Sequence, residues 1–148
     1  MRVDVFTEVS IGRPRDVVST YAGDPTNAPE WYANIRSVEW RTPPPLRVGS
    51  RMDFVADFLG RRLAYTYEIV ELTPGERLIM RTAQGPFPME TTYEWESLVG
   101  GGTRMTLRNR GEPTGFSRLV GPLMASAVRR ANRKDLARLT DILEGSTL

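Results

Sequence analysis

Residues 51–70 read RMDFVADFLGRRLAYTYEIV, and the alternation in this stretch decides the fold. In its first half Met52, Phe54, Ala56 and Phe58 stand on one side, and Arg51, Asp53 and Asp57 on the other. After Gly60, Leu63, Tyr65, Tyr67 and Ile69 share one side, opposite Ala64, Thr66, Glu68 and Val70. Successive side chains of a strand point to opposite faces, so a period of two with one apolar side marks a half-buried strand. A short separator holding a glycine leaves no room for a crossover, so neighbouring strands pair antiparallel.

The same grammar extends in both directions. Strands are expected at 35–42, 50–59, 62–72, 76–84, 88–98 and 103–111. Between them lie Pro43-Pro44-Pro45, Gly60, Thr73-Pro74-Gly75, Gly85-Pro86 and Gly100-Gly101-Gly102, all turn chemistry. Met89, Thr91, Tyr93 and Trp95 oppose Glu90, Thr92, Glu94 and Glu96, while Met105, Leu107 and Asn109 oppose Thr106, Arg108 and Arg110. One face is apolar and aromatic and the other charged, as in a sheet with one wet side.

The chain opens with another such strand, in which Val3, Val5, Thr7, Val9 and Ile11 alternate with Arg2, Asp4, Glu8 and Ser10. Phe6 is the one apolar residue on its polar side. Pro14 suits a first helical turn, followed by Val17, Val18 and Tyr21 as a short apolar face, and Asp24-Pro25 opens a second short helical segment towards Trp31-Tyr32. Residues 117–144 predict a closing helix about 40 Å long. Leu119, Leu123, Met124, Ala127, Val128 and Ala131, then Leu136, Leu139 and Leu143, give it an apolar stripe. Arg118, Arg129, Arg130, Arg133, Lys134 and Arg138 supply much of the polar side, and Gly121-Pro122 marks either a kink or a later start.

These elements predict an α+β fold. A curved, seven-stranded antiparallel sheet wraps a long C-terminal helix, with two short helices after the first strand. A helix 10–12 Å across cannot fill the concave side of such a sheet, so the remainder is either packed core or a cavity.

Composition narrows the chemistry. The 148 residues suit one domain, 1–148, with 40% apolar and 26% charged residues. Cysteine and histidine are both absent, which excludes disulfides, thiolate and imidazole metal sites, and serine–histidine or cysteine nucleophiles. No apolar run approaches the ~20 residues of a membrane span, and no leader pattern precedes the first strand, so a cytoplasmic protein is expected. The net charge is only +2 despite a pI near 9.3, so nucleic acid is not an expected partner. The arginine-rich helix side reads as a solvated face, and Gly100-Gly101-Gly102 as a hairpin turn without the helix a phosphate cradle needs. No metal or cofactor is expected.

The order of motifs resembles a known family. After the opening strand come Pro14-Arg15-Asp16-Val17-Val18, then Asp24, Asn27 and Pro29-Glu30-Trp31. Val48-Gly49-Ser50, Pro74-Gly75-Glu76-Arg77-Leu78 and Gly102-Thr103-Arg104-Met105-Thr106 follow, before the amphipathic helix. Taken in order over nearly the whole chain, they are similar to the helix-grip fold of the START-like, or SRPBCC, superfamily of polyketide cyclase/dehydrase-like proteins. The resemblance implies an internal cavity for lipids, sterols, polyketides, quinones or hormones, with catalysis in only some members.

The apolar face supplies the expected wall. Trp31, Tyr32, Trp40, Phe54 and Phe58 are candidate lining residues, with Tyr65, Tyr67, Tyr93 and Trp95 from the later strands. Thr82, Thr91 and Asn109 add hydrogen-bonding groups, and Met80, Met89, Met124 and Val128 an adaptable apolar surface. A pocket of roughly 300–1,000 Å³ is the expectation for such a lining. Glu90, Glu94 and Glu96 should face water, so no inward pair of carboxylates offers itself for acid–base work. The leading expectation is binding or carriage of a hydrophobic or aromatic small molecule. A cofactor-independent cyclase, aromatase or dehydratase is the alternative, and a protein-interaction module using the arginine-rich helix a third; homodimerisation is left open.

Overall fold

The computed structural model describes residues 2–114 and 121–145. Strand β1 (Val3–Ile11) is followed by helix α1 (Arg15–Ala22), a single 3-10 turn (Pro25–Asn27) and helix α2 (Ala28–Trp31). Six strands succeed one another: β2 (Ile35–Trp40), β3 (Arg51–Phe58), β4 (Arg61–Thr73), β5 (Arg77–Gln84), β6 (Met89–Ser97) and β7 (Thr103–Gly111). Helix α3 (Gly121–Gly145) closes the order. Every strand lies within two residues of its expected bounds. The expected helix start at residues 117–120, with Arg118 and Leu119, lies outside the described residues.

The sheet is one seven-stranded antiparallel array in the order β1-β7-β6-β5-β4-β3-β2. Neighbours are sequential except at one end, where β1 pairs with β7 from Val3 opposite Gly111 to Ile11 opposite Thr103. Local chemistry sets the turns. Leu59 (φ 49°) and Gly60 (φ 77°) both take positive φ in the two-residue connection between β3 and β4, the geometry that matches strand twist. Gly23 ends α1 by donating its N–H to the Ser19 carbonyl, and a Cβ there would stand 2.7 Å from that oxygen. Asp24 then caps the 3-10 turn, accepting from the Thr26 amide at 3.0 Å.

The outer face carries the charges. Arg108 pairs with Asp4 at 2.7 Å and Arg51 with Glu68 at 2.8 Å, across neighbouring strands. Glu90 lies on this face but is not simply wet: Arg81 and Arg110 close over it and leave its side chain 12% exposed. Phe6, 55% exposed, stands among these charges as its position in the alternation predicts.

The concave face packs in two unequal clusters. The larger includes Trp31, Met52, Ile69, Leu78 and Met105 with Leu136, Leu139 and Leu143 of α3. The smaller joins Val3, Val5 and Met124, with Phe58, Ala125 and Val128 against it. Helix α3 packs most closely against β1. Its end is pinned there, as Arg13 Nη1 donates to the Leu143 carbonyl at 2.7 Å and the Gly12 amide to Glu144 Oε2 at 2.8 Å.

Candidate functional site

Between the two clusters the sheet and α3 do not close. The gap is a cavity of about 190 Å³. Its size falls below the expected range, and four tyrosines, Tyr32, Tyr65, Tyr67 and Tyr93, are among the residues that border it. Phe54, Phe58, Leu63, Met80 and Met89 supply the apolar sheet side, and Ala28, Met124, Val128 and Ala131 the helical side. Tyr65 and Tyr67 stand edge to face with ring centres 5.0 Å apart, and Phe54 lies 5.5 Å from each.

Asp24, Asn34, Asp57 and Arg110 are among the lining residues, and further polar atoms enter this wall at three places. From the sheet, Thr91 Oγ1 donates to Asn109 Oδ1 at 2.6 Å and sits 2.8 Å from Tyr67 Oη. Because the threonine proton is used on Asn109, Tyr67 must donate to Thr91, which gives the chain a direction. At the second place, Tyr32 and Tyr93 share a hydroxyl–hydroxyl hydrogen bond of 2.6 Å. Burial drives the tyrosine pKa values up, Tyr67 to about 12 and Tyr32, Tyr65 and Tyr93 also well above their usual value. At neutral pH these phenols are therefore hydrogen-bonding groups, not bases.

The third place was not legible in the strand pattern: Asn132 and Asp135 of α3, 4% and 3% exposed, both border the cavity. Asp135 Oδ1 accepts the Ala33 amide at 3.1 Å. Burial pushes its carboxyl up to about 6, only partly opposed by that hydrogen bond. The signal lay in the helical spacing. Asn132 and Asp135 fall within the stripe of Met124, Val128, Leu136 and Leu139, where a polar residue is out of place. Phe87 also lines the cavity, from the turn before β6.

Twelve of the expected lining residues meet at this cavity: Tyr32, Phe54, Phe58, Tyr65, Tyr67 and Met80, with Met89, Thr91, Tyr93, Asn109, Met124 and Val128. Four lie elsewhere. Trp31 is fully buried in the larger cluster, its ring centre 4.0 Å from that of Tyr32. Trp95 sits behind Tyr93, and Trp40 donates its Nε1 proton to Thr26 Oγ1 at 2.9 Å. Both border a second groove with Pro44, Pro45, Leu46 and Leu72, which meets the cavity lining at Gly23, Asp24, Pro25 and Leu78. Thr82 spends its hydroxyl on the start of β6, accepting the Met89 amide at 3.0 Å. Period two says which face a residue takes. It does not say whether that part of the face meets the cavity or the packed end.

Among the described residues no group of three or more acidic side chains could hold a metal ion. No described helix is long and apolar enough to cross a membrane. The helix cations Arg129, Arg130, Arg133 and Lys134 form no ion pair among the described residues, whereas Arg138 donates to the Glu30 carbonyl at 2.6 Å.

Comparison with known proteins places this geometry in context. A Thermus thermophilus protein superposes with a TM-score of 0.83 at 21% identity, covering 98% of this chain and 99% of that one. A START superfamily protein from Mycobacterium smegmatis gives 0.82 at 14% identity, over 97% and 99%. The Zhui aromatase/cyclase of a Streptomyces gives 0.79 at 16% identity, over 97% and 94%. At such identities the likeness is one of fold. No curated protein matches the chain by sequence. The sequence profile of one family matches residues 2–144, so the chain belongs to the polyketide cyclase / dehydrase and lipid transport family.

Proposed function

We propose that the protein binds and carries a compact hydrophobic or aromatic molecule in the cavity between the sheet and α3. One observation carries this reading: an aromatic-walled space of about 190 Å³ with polar atoms at a few points and apolar surface elsewhere. Volume sets the class. An apolar cavity of about 150 Å³ in an unrelated protein takes up benzene, so the present space has room for one ring with small substituents.

The test is calorimetric titration with indole, against wild type and against Ala131→Phe, which fills the helical side of the space. Wild type should bind and Ala131→Phe should not, while both unfold at similar temperatures. Val128→Phe provides a second block. Failure of indole, toluene and phenol alike to bind the wild type would sink the reading.

A second reading, enzymatic turnover, draws support from Asp135, whose carboxyl is raised to about 6 and lies in the same wall as the tyrosine hydroxyls. A group titrating near neutrality suits acid–base work, and its own oxygens would take and return the proton. Substrate loss that persists in Asp135→Asn would remove this reading and leave carriage intact.

A further inference from the structure

Asn132 and Asp135 lie three residues apart on α3, so they are neighbours on one face of the helix. Both are buried and both border the cavity. The Asn132 Nδ2 group is enclosed yet donates to nothing among the described residues. A buried donor without an acceptor costs more than an ordinary hydrogen bond returns, and native proteins keep few of them. Asp135 is half satisfied: Oδ1 takes the Ala33 amide, and no cation pairs with the carboxyl among the described residues. The wall therefore holds one enclosed, unused donor and one incompletely used acceptor on the same helix face, in a space whose other polar lining is the tyrosine, Thr91 and Asn109 groups with Asp24, Asn34, Asp57 and Arg110.

We propose that Asn132 and Asp135 form the recognition pole of the cavity, and that they select a one-ring ligand bearing a hydroxyl group. The inference rests on reading the cavity as a binding site, and adds which chemistry it accepts. A hydroxyl oxygen has lone pairs to accept from Asn132 Nδ2–H and a proton to give to Asp135, so one atom serves both residues. A hydrocarbon ring serves neither. An ammonium group would donate to Asp135 but has no lone pair for Asn132. A carboxylate would bring a second anion against Asp135, and Arg110 of the lining is already paired with Glu90.

Phenol and toluene have nearly the same shape and differ in this group, so they test the pole directly. Calorimetric titration of the full chain at pH 7.5 should show phenol binding at least about tenfold more tightly than toluene. In Asn132→Leu that ratio should fall to about twofold or less, because the unused donor is gone. Equal binding of the two probes by wild type would overturn the pole while leaving the cavity as a binding site. A phenol preference that survives Asn132→Leu would overturn it too, and would move recognition to the Tyr67–Thr91–Asn109 chain. Binding of neither probe would overturn the pole and the cavity reading together.

Discussion

Asp135 shows how one residue links stability to the site. Its carboxyl is raised from 3.8 to about 6 by burial, so the folded state holds a proton that the unfolded chain releases earlier. The stability tied to this proton is fully present below about pH 4 and is lost as pH rises through 6. Asp135→Asn keeps an oxygen for the Ala33 amide and removes the ionisation. It should match wild type near pH 4 and exceed it by about 2 kcal/mol at pH 7.5, read by urea unfolding at the two values. A gap that does not change with pH would mean the carboxyl is well solvated. At this scale the sequence was partly legible: alternation put Tyr65, Tyr67, Tyr93 and Thr91 on the inner face, where they lie. Trp95, only two residues beyond Tyr93, shares that face and still misses the cavity, because it packs near Gly23 at the α1 end. Position along a strand relative to the short helices is a tertiary fact, and no local period encodes it.

Helix α3 does the most at the level of elements. It carries Leu136, Leu139 and Leu143 into the larger cluster, Met124 into the smaller, and Asn132 and Asp135 between them. Leu139 is 0% exposed, so Leu139→Ala should cost about 3 kcal/mol in chemical denaturation, as large-to-small changes in packed cores do. Leu123→Ala on the same helix, at a site 64% exposed, should change stability by about 0.5 kcal/mol or less. Similar costs at the two sites would mean α3 is not seated as described. The strand bounds were legible because turn residues punctuate them. The register shifts between Ile35 and Ser37 in β2, and at Thr66/Tyr67 and Ile69/Glu71 in β4, were not. A bulge inserts one residue into a period of two, and the disturbance is too short to stand out from ordinary variation in side-chain type.

Across the whole molecule, the meander follows from short connections, but its closure does not. The pairing of β1 with β7 joins segments about a hundred residues apart, a contact whose loop entropy must be met before it stabilises anything. Folding in the millisecond-to-second range is the consequence of that topology. Resemblance to a family of proteins implied the internal space; local sequence showed neither it nor the closure, since both depend on how far the sheet curls. The size of the space was the least legible quantity, because it is the small difference between what the backbone encloses and what the side chains fill.

That difference has a mechanical meaning. Hydrostatic compression favours whichever state occupies less volume, and unfolding abolishes an internal void. With a space of about 190 Å³ between its two apolar clusters, the protein should unfold under pressure with a decrease in volume. Tryptophan fluorescence in a high-pressure cell reads the transition. Saturating indole analogues without their own emission, or toluene, should raise the midpoint pressure by occupying the void. An unmoved midpoint would show that the probe sits on the surface. The hollow makes the fold soft to compression, and a bound molecule would harden it.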